Sequence, residues 1–263
     1  MNTTTALTQS LPFELGETRS HGGLTLVALF PLAEPTLDYI GLDEALARGL
    51  TVTETGEAGA VEALHVTNPL ADRVLLYEGE ELVGAKQNRI VRMTTLVEAG
   101  RSTVLPVHCV ERGRWAWRSR RFTTAPHAAY PQLRRASRSG QSATWASLEL
   151  KADLHEAHSP TGAQDAIYAH RAPSLDEYVG ALPRLPGQAG VLVGIAGELV
   201  CLDYVSRPDV FADLYRFLDA LSTSRSRLRP PTGTGTERRL VGRVVGSELS
   251  AYGEVVALSA FPA

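Results

Sequence analysis

A chain of 263 residues is long enough for one large domain or two small ones, with ample volume for a packed core. Its hydrophobic fraction of 44% and charged fraction of 21% lie near the globular average, which argues against a disordered chain and a membrane class. A net charge of −3 says nothing about a polyanionic partner until the distribution of charge is examined.

Met1 to Ser20 carries neither a cationic start nor an apolar run, and no secretory signal is expected there. The longest apolar stretches, Leu24–Phe30 and Val191–Ala196, are far shorter than the roughly 20 residues of a membrane helix. Two cysteines, Cys109 and Cys201, cannot build a disulfide framework or a four-thiolate zinc site. Together these features predict a cytoplasmic protein.

Leu24–Phe30 reads as a strand, and Thr36 as the cap of a short helix running to Arg48, with Gly49 just past its last turn. From Val61 to Phe122 the chain is rich in Val, Leu and Thr and cut by Gly, Asn, Asp and Pro, which predicts a series of strands. One hairpin is expected between Ile90–Val97 and Ser102–Val110, turning at Glu98-Ala99-Gly100. Thr123–Gly140 reads as an irregular crossing and Ser142–Ala157 as a helix. Ser174-Leu175-Asp176-Glu177 has the form of a capping box before a short helix that ends near Pro183. Gly190–Ile195 and Leu199–Val205 predict a second hairpin, and Pro208 opens an amphipathic helix through Leu221. Ser222–Glu237 reads as a linker, and Leu240–Val245 and Gly253–Phe261 as closing strands. Short strands in series without long intervening helices predict an α+β fold: an antiparallel β-sandwich or barrel-like core with a few peripheral helices. The expected organisation is a single domain over 1–222, followed by a linker and strand pair over 223–263.

The densest polar cluster is Glu78-Gly79-Glu80-Glu81, followed by Lys86-Gln87-Asn88-Arg89. Lys86 and Arg89 suit phosphate oxygens, and Gln87 and Asn88 offer the paired donor and acceptor that fits a base edge or ribose hydroxyls. Glu78, Glu80, Glu81 and, further on, Glu111 are candidates for general acid–base work. Glu111-Arg112-Gly113-Arg114-Trp115 supplies two more phosphate-binding arginines, Arg112 and Arg114, and a stacking ring. Equally, both clusters read as ion-paired turns.

From Arg112 to Leu148 there is no Asp or Glu, yet there are eight arginines and all three tryptophans. Such interleaving suits a nucleotide or single-stranded nucleic acid, and equally a core strand with a solvated basic face. Cys109 shares a strand face with Leu105 and Val107, which predicts a buried packing residue that His108, on the opposite face, does not activate. Gly-rich phosphate loops and nucleophile elbows are absent, and no histidine spacing marks a metal site; none is expected. No cofactor is indicated.

Glu80–Arg89 and Leu105–Trp115 resemble the bacterial ARPP domain family, in full "ARG and rhodanese-phosphatase-superfamily associated protein", where ARG abbreviates ADP-ribosylglycohydrolase. The resemblance covers roughly Leu24 to Ser222 and departs at Arg92 and Met93, where smaller polar residues are the expectation. It implies binding or processing of an ADP-ribose-like or other NAD-derived nucleotide. The alternative from the residues themselves is a nucleic-acid or protein interaction module using the arginine-rich window 112–138.

Overall fold

The computed structural model describes residues 11–215, 244–252 and 254–262. Along the chain come β1 (Phe13–His21), β2 (Leu24–Pro31), β3 (Tyr39–Ile40), α1 (Leu42–Ala47), β4 (Thr51–Glu54), β5 (Ala63–Thr67) and β6 (Arg73–Leu76). Next are β7 (Glu80–Gly84), β8 (Arg89–Val91), β9 (Thr95–Val97), β10 (Ser102–Cys109), β11 (Phe122–Ala128), α2 (Pro131–Arg138), α3 (Gln141–His155) and α4 (Asp165–Ala181). The chain closes with β12 (Gly190–Ile195), β13 (Glu198–Val205), α5 (Pro208–Leu214), β14 (Val244–Ala251) and β15 (Glu254–Pro262). No described helix is long and apolar enough to cross a membrane.

The contacts divide the chain into two units, one formed by the stretch up to Leu37 with that from Leu175 onward, the other by Asp38–Ser174. The first holds a six-stranded antiparallel sheet in the order β1-β2-β12-β13-β15-β14. Val27, Leu29, Leu192, Leu202, Tyr204 and Leu258 form its core.

The second unit carries the sheet β11-β7-β8-β10-β5-β4, whose edge strands β11 and β4 approach each other and curl it into a half-barrel. A three-stranded sheet, β3-β6-β9, lies in the same unit. Alternation explains the packing: on β5 Leu64 and Val66 point inward while Ala63, His65 and Thr67 are half-buried. Leu82, Val91, Leu105, Val107 and Phe122 fill the same core from neighbouring strands. The fold is therefore α+β with a barrel-like core, one of the two expected architectures.

Several local expectations are corrected. Thr36 caps no helix, because its backbone N–H and Oγ1 both donate to the Glu254 carboxylate, and α1 starts only after Gly41. The 90–110 hairpin forms at its open end, where Val107, His108 and Cys109 face Val91, Ile90 and Arg89. Its turn end departs, since β9 pairs with β6 instead. Thr123–Gly140 is ordered: Pro126 sits in β11, an edge strand, where no ladder bond needs its missing N–H, and Pro131 starts α2 with a preset φ. Ser174 lies inside α4, which begins at Asp165.

The boundary expected at 222/223 is not where the units divide. β15 pairs with β13, and β14 with β15, so the terminal strands complete the first unit's sheet. The helical expectation for 216–221 and the linker over 222–237 lie outside the described residues.

Candidate functional site

The two sequence motifs meet, although more than twenty residues separate them. Gln87 Nε2 donates to the Glu111 backbone carbonyl at 3.0 Å, and the Asn88 backbone N–H to Glu111 Oε2 at 3.1 Å. Arg114 reaches the same loop, with Nη2 2.6 Å from Glu111 Oε2 and 3.2 Å from Asn88 Oδ1. Its Nη1 donates to the Ala85 carbonyl at 2.7 Å, and Nη2 also approaches the Gly84 carbonyl at 3.2 Å. The turn these bonds clamp requires glycine: Gly84 has φ +133°, and a Cβ there would lie 2.8 Å from the Arg121 carbonyl oxygen.

This lattice aims one side chain. Asn88 Oδ1 accepts from Gly84 N–H at 3.3 Å and from Arg114, so its Nδ2 is the end turned the other way. Nδ2 lies 3.5 Å from Glu81 Oε1 and 3.3 Å from Asp165 Oδ2. His127 completes the group, its Nε2 3.1 Å from Glu81 Oε2 and 3.0 Å from Asp165 Oδ1. Gln164 Nε2 donates to Glu81 Oε2 at 2.6 Å. The His127 ring is held flat against Tyr168, with centroids 3.9 Å apart.

Burial grades the cluster from floor to mouth. The Glu81 side chain is fully enclosed, His127 nearly so, and Asp165 is 41% exposed. Burial pushes the Glu81 carboxyl up, against the hydrogen bond from His127. For His127 burial acts downward, but hydrogen bonds to Asp165 and then Glu81, with both charges, outweigh it and raise the imidazole to about 9. The bond from His127 lowers Asp165 despite partial burial, and the nearby charge of Arg118 acts in the same direction. One Nε2–H faces two carboxylate oxygens, so the cluster is short of a positive donor. It can accept a proton or a cation there.

Beside the loop, Arg112 to Arg121 runs along the surface, tied down by Ala116 N–H to Lys86 O and Arg118 N–H to Ala85 O. Trp115 and Trp117 are 45% and 37% exposed. The Lys86 ammonium lies 5.4 and 5.2 Å from their ring centroids, and Arg120 covers the Trp117 ring at 4.5 Å.

Residues 12–218 match the family described as the ARG and Rhodanese-Phosphatase-superfamily-associated Protein domain, ARPP-1. The chain belongs to the ARPP-1 family. No curated protein and no solved structure matches it.

Within this ARPP-1 domain the sequence-predicted site residues part company. Glu81 enters the cluster and Asn88 braces it. Glu78 turns away into a two-point pair with Arg138 at 2.8 and 2.7 Å, and Glu80 accepts the Tyr77 backbone N–H at 2.7 Å. Glu111 and Gln87 hold the loop. Lys86 donates to the Ala58 carbonyl at 2.9 Å.

The expected phosphate grip of Arg89 and Arg114 does not fit this geometry. Arg89 has no exposure; it donates to Gln87 Oε1 at 3.0 Å and lies 3.7 Å from Glu54. Arg114 donates to the loop carbonyls and to Glu111. Both guanidiniums face inward as struts, Arg114 because the tight turn leaves carbonyls that need donors and Arg89 against the Gln87 amide and Glu54. Arg112 stacks over Trp145 at 5.1 Å, beside a cavity of about 210 Å³ lined also by Glu149, His158 and Ser159. In the arginine-rich window, Arg134 is buried on α2 and Arg138 pairs with Glu78, so the eight arginines do not share one face.

Sequence reasoning missed His127, Gln164 and Asp165. They lie 46 to 84 positions beyond Glu81, His127 inside the stretch read as irregular and Gln164 and Asp165 past it. An edge strand tolerating Pro126, and an acid opening α4, were the signals available.

Proposed function

We propose that this ARPP-1 domain binds an ADP-ribose-like or other NAD-derived nucleotide, with the Glu81–His127–Asp165 cluster at the reacting end. The observation that carries this reading is the juxtaposition of that cluster with an exposed Arg/Trp loop. Arg118 stands close enough to act on Asp165, and Trp115, Trp117 and Arg120 continue along the same loop. The exposed parts of the tryptophan rings take a base, exposed guanidiniums take phosphate oxygens, and a carboxylate at the mouth takes a ribose hydroxyl. The phosphate contacts thus move from Arg89 and Arg114 to Arg118 and Arg120, whose side chains reach water. Glu81, His127 and Asp165 supply proton-accepting and proton-donating groups around one point, as a hydrolytic step on the sugar would need.

Calorimetric titration with ADP-ribose, AMP, NAD and a short single-stranded oligonucleotide tests the reading. One ADP-ribose per chain is expected, with Trp115→Ala and Arg118→Ala each weakening it about tenfold, the loss of one charged or stacking contact. Absence of binding by every nucleotide would sink it. Binding of the oligonucleotide alone, weakening steeply with salt, would favour an interaction module instead.

A further inference from the structure

We propose that Glu81, His127 and Asp165 form a binding site for one divalent first-row cation, Mn2+ or Zn2+. That the ion then meets the ligand's phosphate or sugar oxygens rests on the nucleotide reading above; uptake of the ion does not.

Three different elements bring these ligands to one point: Glu81 on β7, His127 on β11 and Asp165 at the start of α4. One donor atom from each lies within 4.8 Å of the others. The separations suit an ion between them. Ligands about 2.1 Å from a cation in adjacent octahedral positions are roughly 3.0 Å apart. His127 Nε2 stands 3.1 Å from Glu81 Oε2 and 3.0 Å from Asp165 Oδ1. The one Nε2 lies between the two oxygens, and Glu81 Oε2 also accepts Gln164 Nε2 at 2.6 Å.

A second observation points to the same spot. Gln164 is wholly buried and its Nε2 is engaged by Glu81, yet Oε1 of the same amide has no hydrogen-bond partner. A buried amide oxygen without a donor costs on the order of 1–3 kcal/mol. The unmet oxygen belongs to the amide whose Nε2 bonds Glu81 Oε2, so it sits on a residue tied directly to the cluster.

The surroundings are built to hold the ligands. Asn88 Nδ2 faces Glu81 Oε1 and Asp165 Oδ2, the oxygens turned away from His127, leaving Oε2 and Oδ1 for the ion. Tyr168 fixes the imidazole plane. Such outer hydrogen bonds and packing orient metal ligands in known centres. One imidazole with two carboxylates favours Mn2+ or Zn2+ over Mg2+ and Ca2+, which prefer all-oxygen sites, and no thiolate is present to select a softer ion. Asp165 is the exposed member, so open coordination positions face solvent at the mouth.

The decisive experiment uses full-length protein dialysed against EDTA and then exchanged into chelator-free buffer. Mn2+ alone is titrated in while the electron paramagnetic resonance signal of free Mn2+ is followed, and Zn2+ alone is titrated by calorimetry. Saturable uptake of one ion per chain is expected, weakened at least about tenfold in Asp165→Asn, a nearly isosteric change at a half-exposed position. His127→Gln serves as a second variant, with circular dichroism reporting its folding. Absence of one-to-one uptake of either ion by the wild type, or unchanged affinity in folded Asp165→Asn, would mean that the three residues are an internal ion-pair cluster. ADP-ribose binding measured with and without EDTA separates the two proposals. Failure of the nucleotide in both conditions overturns the ligand reading while the Mn2+ titration still decides the metal site.

Discussion

Arg114 holds Asn88 by its carbonyl end: the guanidinium Nη2 lies 3.2 Å from Asn88 Oδ1 and thereby turns the amide nitrogen toward Glu81 and Asp165. An arginine that looks in sequence like a ligand clamp thus acts on the cluster through an intermediate side chain.

Replacing Arg114 therefore tests a structural role. Arg114→Ala removes donors from the Ala85 and Gly84 carbonyls and leaves the nearly buried Glu111 carboxylate unpaired. A loss of about 3 kcal/mol is expected in urea unfolding monitored by fluorescence. Arg114→Lys should recover little of it, because an ammonium cannot span the same acceptors. An unfolding midpoint close to wild type would contradict the strut assignment.

Cys109 should be inert in the native protein. It is fully buried between neighbours of β10, its Sγ accepts the Glu111 backbone N–H at 3.4 Å, and burial pushes the thiol up. Iodoacetamide at neutral pH is expected to leave Cys109 unmodified until denaturant is added, read by mass spectrometry of the tryptic peptide. Rapid native labelling would show instead a reactive thiol.

The acid limb of stability should depend on Glu254. Burial alone would raise its carboxyl, but bonds from Thr36 Oγ1, Thr36 N–H and Leu37 N–H hold it below the usual glutamate range. A lowered folded value means that the unfolded state binds the proton more readily, so this stabilisation is present above the unfolded value and lost as pH falls through the folded one. Thermal melts of the wild type should drop as pH falls from about 4.5. Glu254→Gln should start lower at pH 7 and fall less steeply; parallel curves for the two proteins would refute the assignment.

Removing 223–263 should abolish soluble expression. The truncation strips β15 from β13 and deprives Leu202 and Tyr204 of their neighbours Leu258 and Ala260. It also opens a long apolar strand edge, a template for aggregation. A monomeric, cooperatively melting truncated chain would show that the first unit's sheet stands without its last two strands.

Much of the scaffold was legible because strands advertise themselves. Alternating Val and Leu on β5, and the Gly-containing turn at Ala196-Gly197 between β12 and β13, have local causes that a sequence displays. The pairing of Lys86–Arg89 with Glu111–Trp115 was also within reach, since β8 and β10 are neighbours along a readable hairpin. What these residues do was less so. A buried arginine and an exposed one share the same letter, and only the curl of the sheet decides which carbonyls Arg114 meets. His127 was hidden by prolines at 126 and 131, read as breakers although one sits on an edge strand and the other opens a helix. Asp165 opens α4 as an acid, but it belongs to the cluster only through the placement of that helix, a long-range fact.

The interlocking of Asn88, Glu111 and Arg114 bears on how the chain can drift over generations. The three side chains share hydrogen bonds, so the effects of substitutions there should not add. A change at 114 removes the charge partner of Glu111, so an alteration at 111 then costs only the bond to Asn88 N–H, less than it costs with Arg114 in place. Neutral routes through this region therefore run by simultaneous or compensated replacements. The loop should behave in a library of random variants as one heritable block.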